Sequence, residues 1–209
     1  MPGCIYRRGE VSRFTLPTLF DGHYRAVAWG KFPMIRPLAA LVVCGAVFTA
    51  AGLAGCTDNA PTSGQPSFYR DLAQPDAVLD ANAAQSMISG YRGNNGLGPV
   101  TIDPELMRLA AAQAQIMAAK GKLDHDVRAP FQERIRKSGF DAAVAVENIG
   151  AGYHTLAEAF SGWRDSPPHR ANMLNSSVTR MGIAAVYAPK SKYKVFWSLI
   201  LAEPDEHRG

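Results

Sequence analysis

Cysteine is scarce in this chain. Three occur in 209 residues, Cys4, Cys44 and Cys56, and none follows Cys56. Beyond that point no disulfide can form, and no thiolate is available as a nucleophile or a metal ligand. Charge of one sign is missing too, once the chain is divided. The whole sequence carries a formal net charge of +4, but six of its 22 Lys and Arg and two of its 18 Asp and Glu lie at or before Arg36. Sixteen of each remain from Cys56 onward, so that part is neutral. It lacks the electrostatic footprint of a nucleic-acid binder. A phosphate loop is absent as well: Gly150-Ala151-Gly152 has neither a third glycine nor a lysine.

Long apolar runs are reduced to one. Leu38 to Ala54 carries no charge, follows Arg36, and ends in Leu53-Ala54-Gly55-Cys56. A basic start, an apolar centre and small residues before a cut site describe a secretory signal over residues 34–55. The Leu-Ala-Gly-Cys ending resembles the lipobox of bacterial lipoproteins, which implies cleavage before Cys56 and diacylation of its thiol. Buried acyl methylenes then hold the protein at a membrane surface. An uncleaved membrane helix is the alternative, and the run is near the ~17-residue lower limit for spanning. Both readings place the residues after Cys56 outside the cytoplasm. Thr57 is compatible with outer-membrane sorting in a host with two membranes. Residues 1–33 fit neither reading. The expectation is that translation starts at Met34 and that 1–33 are a mis-assigned extension.

Residues 56–77 are rich in Pro, Ser, Gly, Asn and Gln and read as a flexible tether. One domain of ~125 residues follows over 78–203, large enough for a real core, and 204–209 is a polar tail. Apolar residues at helical spacing predict a helix over 77–91, and Gly93–Pro99 is a loop by turn chemistry. Asp103-Pro104 caps and opens a helix that runs to Lys120 and stops at Gly121. Pro130–Ser138 reads as a short helix and Val144–Val146 as a short buried strand. Thr155 with Glu158 forms a capping-box pattern before a helix to Arg164. Met181–Tyr187 and Lys194–Leu201 read as an antiparallel hairpin. The sum is an α+β layered domain.

Against this Ala-rich background a few polar residues stand at element edges: His125, Glu147 with Asn148, then Trp163 followed by Ser166-Pro167-Pro168-His169-Arg170-Ala171-Asn172. Two imidazoles and a carboxylate converging on one cleft bind a metal, shuttle a proton or orient a ligand. Each residue also has a plainer role. The histidines serve equally as hydrogen-bonded structural groups. Glu147 serves as a carboxylate satisfied by donors behind the sheet. Ser166 with His169 invites a serine-hydrolase reading, but Ser166 before two prolines is more simply a helix terminus. Trp163 reads as core, and Asn148 and Asn172 as ties between loops around the cleft.

These fragments, in order, resemble the CAP superfamily (SCP-like or pathogenesis-related-1-like domains), and more narrowly its short bacterial branch. Tyr91-Arg92, Leu97-Gly98-Pro99, Leu106 to Met117, Leu123-Asp124-His125, Glu147-Asn148-Ile149, the Trp163 to Asn172 block and Thr179 to Ala184 carry the likeness. The resemblance implies a three-layer α-β-α sandwich with a small central antiparallel sheet. It implies a cleft where His125, Glu147 and His169 meet, sometimes holding a divalent metal such as zinc, on a secreted or surface protein. It does not imply one biochemistry. The sequence departs from larger members at Ser166, where they carry a second acid. The leading expectation is a lipid-anchored envelope module that binds a small ligand, a glycan or a partner protein. A metal-assisted hydrolase, with Glu147 activating water on an ion held by His125 and His169, is the alternative, and a vestigial structural cleft is a third reading. Substituting Cys56→Ser is expected to abolish acyl labelling of the protein in its host, and unchanged labelling would overturn the lipobox reading.

Overall fold

A computed structural model describes residues 4–8 and 64–205. The expected signal, Cys44, Cys56 and the tail from 206 lie outside the described residues. Asp103 sets the first long helix: its side chain accepts from the backbone N–H groups of Glu105 and Leu106, and Pro104 occupies the first turn. The helix, α2 (Pro104–Lys120), ends on Gly121 in the left-handed region at φ 62°. Before it, α1 (Ala81–Gly93) starts four residues later than the spacing predicts. Asp80 is the reason, since its carboxylate accepts from the Ala83 N–H and caps the helix there. The short α3 (Phe131–Ser138) follows α2. The capping box of Thr155 and Glu158 opens α4 (Leu156–Asp165).

Two elements differ from expectation. The strand read as Val144–Val146 is β3 (Ala142–Ala151), ten residues long. Glu147 and Asn148 look like an interruption of a buried run, yet both find partners inside the protein. A further helix, α5 (Pro167–Met173), follows Ser166 directly. Proline ends α4 but is also suited to the first turn of the next helix, and here it does both. Ser166 provides no side-chain cap to α5.

The sheet is completed by β1 (Cys4–Arg7), β2 (Thr101–Ile102), β4 (Arg180–Ala188) and β5 (Lys194–Pro204), in the order β1-β3-β5-β4-β2. All pairs are antiparallel except β2 with β4, so the sheet is mixed rather than wholly antiparallel. Side chains alternate across it. On one face Ala145, Ile200 and Ala202 pack with Leu106 and Ala110 of α2 and with Phe131 and Ile135 of α3. On the other Val146, Trp197, Leu199 and Leu201 pack with α1, α4 and α5. This is the three-layer α-β-α arrangement. The end of the predicted tether joins it: Leu72 is buried, and Phe68 packs against the same cluster.

Helix α2 lies close against β4. A Cβ on Gly182 would stand 2.1 Å from the Leu106 carbonyl carbon. On the opposite face Arg92, 1% exposed, ends α1. Its guanidinium donates to the carbonyls of Gly98, Met173, Asn175 and Val178 at 2.8–2.9 Å. One side chain thereby ties the α1–β2 loop to the segment between α5 and β4. Replacing Arg92→Met leaves four acceptors without this donor, and we expect a loss of at least about 3 kcal/mol. Urea denaturation should show it as a lower midpoint at unchanged slope.

Candidate functional site

His125 lies in the loop between α2 and α3, and that loop is fixed from two sides. From α2, Gln113 donates through Nε2 to the carbonyls of Asp124 (2.9 Å) and His125 (3.2 Å). From α3, Arg134 donates to the carbonyls of Ala129 (3.3 Å) and His125 (3.1 Å). The clamp aims the imidazole at β3, where His125 Nδ1 is 2.9 Å from Glu147 Oε2.

The Glu147 carboxylate has no solvent exposure. Its Oε2 accepts from Arg134 Nη2 at 2.8 Å as well as facing His125, and its Oε1 accepts from the Ser198 hydroxyl at 3.3 Å. Burial alone would raise its pKa, and it is the largest single influence. The hydrogen bond from His125 and the charge and hydrogen bond of Arg134 together outweigh it, so the pKa is lowered. The carboxylate is therefore held as an anion.

Adjacent residues of a strand point to opposite faces, so Asn148 faces the other layer. Its amide donates to the His169 carbonyl at 3.0 Å. Asn172, one turn further along α5, donates to Asn148 Oδ1 (2.9 Å) and to the Glu147 carbonyl (3.2 Å). These bonds rope α5, with His169 on it, to the strand that carries Glu147. The His169 ring is half-buried. Its pKa is lowered, first by desolvation and then by the charge of His125, so the two imidazoles share one electrostatic environment. Trp163 is buried, donating to the Ile149 carbonyl at 3.3 Å and edge-on to Trp197.

The structure thus brings His125 and Glu147 into direct contact and places His169 close by, tied through Asn148 and Asn172. Ser166 stands at the α4–α5 junction, and nothing links it to Glu147. Gln113, Arg134 and Ser198 are not among the residues that the sequence singles out. Gln113 leaves a readable signal, as a polar residue on the buried stripe of Leu106, Ala110, Ala114 and Met117. Arg134 and Ser198 leave none, because an arginine on a charged helix and a serine in a strand are ordinary.

Residues 85–201 match the sequence model described as the cysteine-rich secretory protein family, CAP. The chain belongs to this family. It is 35% identical over 128 residues to the uncharacterized protein YkwD of Bacillus subtilis, a match covering 54% of this chain and 49% of that protein. The chain therefore spans about half the length of this curated relative. Among solved structures it resembles an outer surface protein of Borrelia burgdorferi, with TM-score 0.54, 18% identity and coverage of 60% of this chain and 92% of that one. It also resembles an extracellular protein containing an SCP domain from Bacillus anthracis, with TM-score 0.52, 21% identity and coverage of 58% and 39%. At these identities the structural likeness is one of fold. The mixed five-stranded sheet between helical layers is the CAP architecture as it occurs in this chain.

The donor set bears on whether a metal fits. Glu147 Oε2 already faces a guanidinium at 2.8 Å, and a divalent cation brought to the same oxygen would be repelled by it. Glu147 Oε2 thus does not fit the role of a ligand. His125 has Nδ1 taken by Glu147, so only Nε2 could meet an ion, with Glu147 as the carboxylate that orients the ring. Two imidazoles fall short of the three protein ligands of a catalytic zinc centre.

A stability prediction follows from the pair. Breaking a buried ion pair at one partner costs about 3–5 kcal/mol, and Glu147→Gln is expected to lose that much. The pH dependence has a definite sign. Glu147 is depressed in the fold, so its contribution is complete above the unfolded pKa of about 4.3 and fades as pH falls through the lower folded value. His169 is depressed as well, so stability begins to decline as pH drops below about 6.5. Denaturation of wild type and Glu147→Gln from pH 8 to pH 3 should show a falling wild-type curve, with the variant's deficit shrinking at the acid end.

Proposed function

We propose that this protein is a lipid-anchored, extracytoplasmic CAP module of a bacterial envelope. In this reading it binds a ligand or partner at the cleft of His125, Glu147 and His169 and performs no chemistry there. The observation that carries the proposal is the environment of Glu147. A general base must reach the proton it removes and retain enough basicity to hold it. Glu147 is closed off from water, bonded to His125, Arg134 and Ser198, and lowered in pKa. Its chemistry is that of a positioning group, which sets the ring of His125 and, through Arg134, the loop that carries it.

The location is supported by the apolar run before Cys56 and by the two structural neighbours, one an outer surface protein and the other extracellular. Among the described residues no helix is long and apolar enough to cross a membrane. In this reading the half-buried His169, beside the buried and oriented His125, meets a neutral ligand with hydrogen-bonding groups or the backbone of a partner.

The metal-assisted hydrolase differs in what it requires. Calorimetric titration of zinc into the purified protein, with a His125→Ala/His169→Ala double variant beside it, separates the two. The expected result is no zinc binding that the double variant removes. Tight binding lost in the variant, with hydrolysis of envelope material that Glu147→Gln abolishes, would establish the hydrolase instead.

A further inference from the structure

The sheet has an edge whose occupant is unusual. Strand β3 is covered on both faces by helices, yet among the described residues its outer edge is paired over four residues, by the N-terminal segment of the chain. Cys4 stands opposite Glu147, Ile5 opposite Val146, Tyr6 opposite Ala145 and Arg7 opposite Val144, and the Arg8 N–H donates to the Ala143 carbonyl. That segment lies ahead of the export signal, in the part of the sequence that a mature envelope protein would not retain.

The segment fits its place through its side chains as well as its backbone. By the alternation of a strand, Ile5 packs into the cluster of α1, α4 and α5, and Tyr6 into the cluster of α2 and α3. Arg8 then closes the end of the pairing on two carboxylates, Asp141 at 3.2 Å and Asp205 in a closer contact. The edge therefore offers one apolar seat on each face of the sheet, a backbone ladder between them and an acidic end. At its other end it finishes at Glu147, the centre of the cleft.

We propose that the outer edge of β3, from Ala143 to Glu147, is a docking edge for an extended peptide of another envelope protein. The peptide joins antiparallel to β3, carrying an apolar and an aromatic residue in succession and a basic residue two positions on. The proposal rests on the reading above that residues 1–55 leave the mature protein, and it names the partner class for the same cleft. An open strand edge is a template for adding a strand: main-chain bonds supply affinity and the seats for alternate side chains supply selectivity. Residues 4–8 display the pattern that fits. In the complete chain they hold the edge in cis, at an effective concentration in the millimolar range.

The test uses the full chain and a labelled, end-blocked pentapeptide of residues 4–8 with serine for Cys4. Fluorescence anisotropy is read in EDTA against the wild-type chain and against an Ile5→Asp/Tyr6→Pro variant, in which proline cannot sustain the ladder. The peptide is expected to bind the variant at least about tenfold more tightly than the wild type, whose edge is filled. Glutamate in place of the terminal arginine should weaken it about fivefold, and proline at the tyrosine position should abolish binding. Equal affinity for variant and wild type, or equal affinity of the proline peptide, would overturn the proposal. So would concentration-dependent dimerisation of the variant without peptide binding, since the edge would then serve a second copy. An Arg8→Glu chain guards against a variant that fails to fold: its exposed change should speed hydrogen exchange over residues 143–147, and unchanged exchange would count against the proposal. Repeating the titration with His125→Ala/His169→Ala added keeps the two readings apart. Peptide binding that persists there supports the docking edge even if the imidazoles bind nothing, and loss of binding there with the edge intact would assign the peptide to the imidazoles instead.

Discussion

A carboxylate without access to water survives as an anion only where fixed donors replace its hydration. At Glu147 those donors come from three separate parts of the fold: Arg134 of α3, His125 of the α2–α3 loop and Ser198 of β5. Each is bound in its turn. Arg134 also holds the carbonyl of His125, and Gln113 holds the same carbonyl from α2. The site is a set of linked obligations in which a move by one of these members leaves another unsatisfied, while Gln113 Oε1 and Arg134 Nη1 are buried without a hydrogen-bond partner among the described residues. In a low-dielectric interior the bonds that are made are strong enough to restrict these groups to one arrangement. The stability of this layer and the aim of the His125 ring are therefore one property.

The second histidine is reached by turning to the other face of the same strand. Glu147 and Asn148 are consecutive, so the pleat sends the first towards α2 and α3 and the second towards α5. Asn148 and Asn172 then fasten the turn of α5 that carries His169. Two histidines from opposite layers can share a neighbourhood only by meeting around the strand that separates them. In this sheet that strand is β3, whose far side, among the described residues, carries nothing but the short β1. The position of the cleft follows from topology before any side chain is considered, and it explains why the site and the outer edge of β3 are found together.

Much of this is legible in the sequence, for identifiable reasons. Helix starts with side-chain caps are well placed, because Asp103 and the Thr155–Glu158 box act locally. The start of α1 is misplaced because the tether has no periodicity to contrast with, although Asp80 carries the signal. The length of β3 is underread because polar residues in a buried run normally mark its end. Here they mark a site whose partners lie 13 to 51 residues away in sequence. The missed participants follow the same rule. Arg134 works through contacts with carbonyls and a carboxylate outside its helix, and its own surroundings in the chain resemble those of any surface arginine, while Arg92 is legible only as part of the Tyr91-Arg92 fragment and its buried carbonyl contacts are not.

The same distinction governs function. A histidine, a carboxylate and a second histidine in the right order are what a hydrolytic centre and a binding cleft would both require. What separates them is the state of the carboxylate, which depends on Arg134 and therefore on the fold. A guanidinium at 2.8 Å stabilises the anion most in its ground state and would oppose both proton uptake and the approach of a divalent cation. An enzyme built on this acid would have to overcome the interaction that holds its site together. A binding module gains from it, since the charge is neutralised locally and the cleft presents oriented donors and acceptors in place of a reactive centre. In the proposed binding role, net neutrality beyond Cys56 would leave recognition to shape and hydrogen bonding, with little long-range attraction.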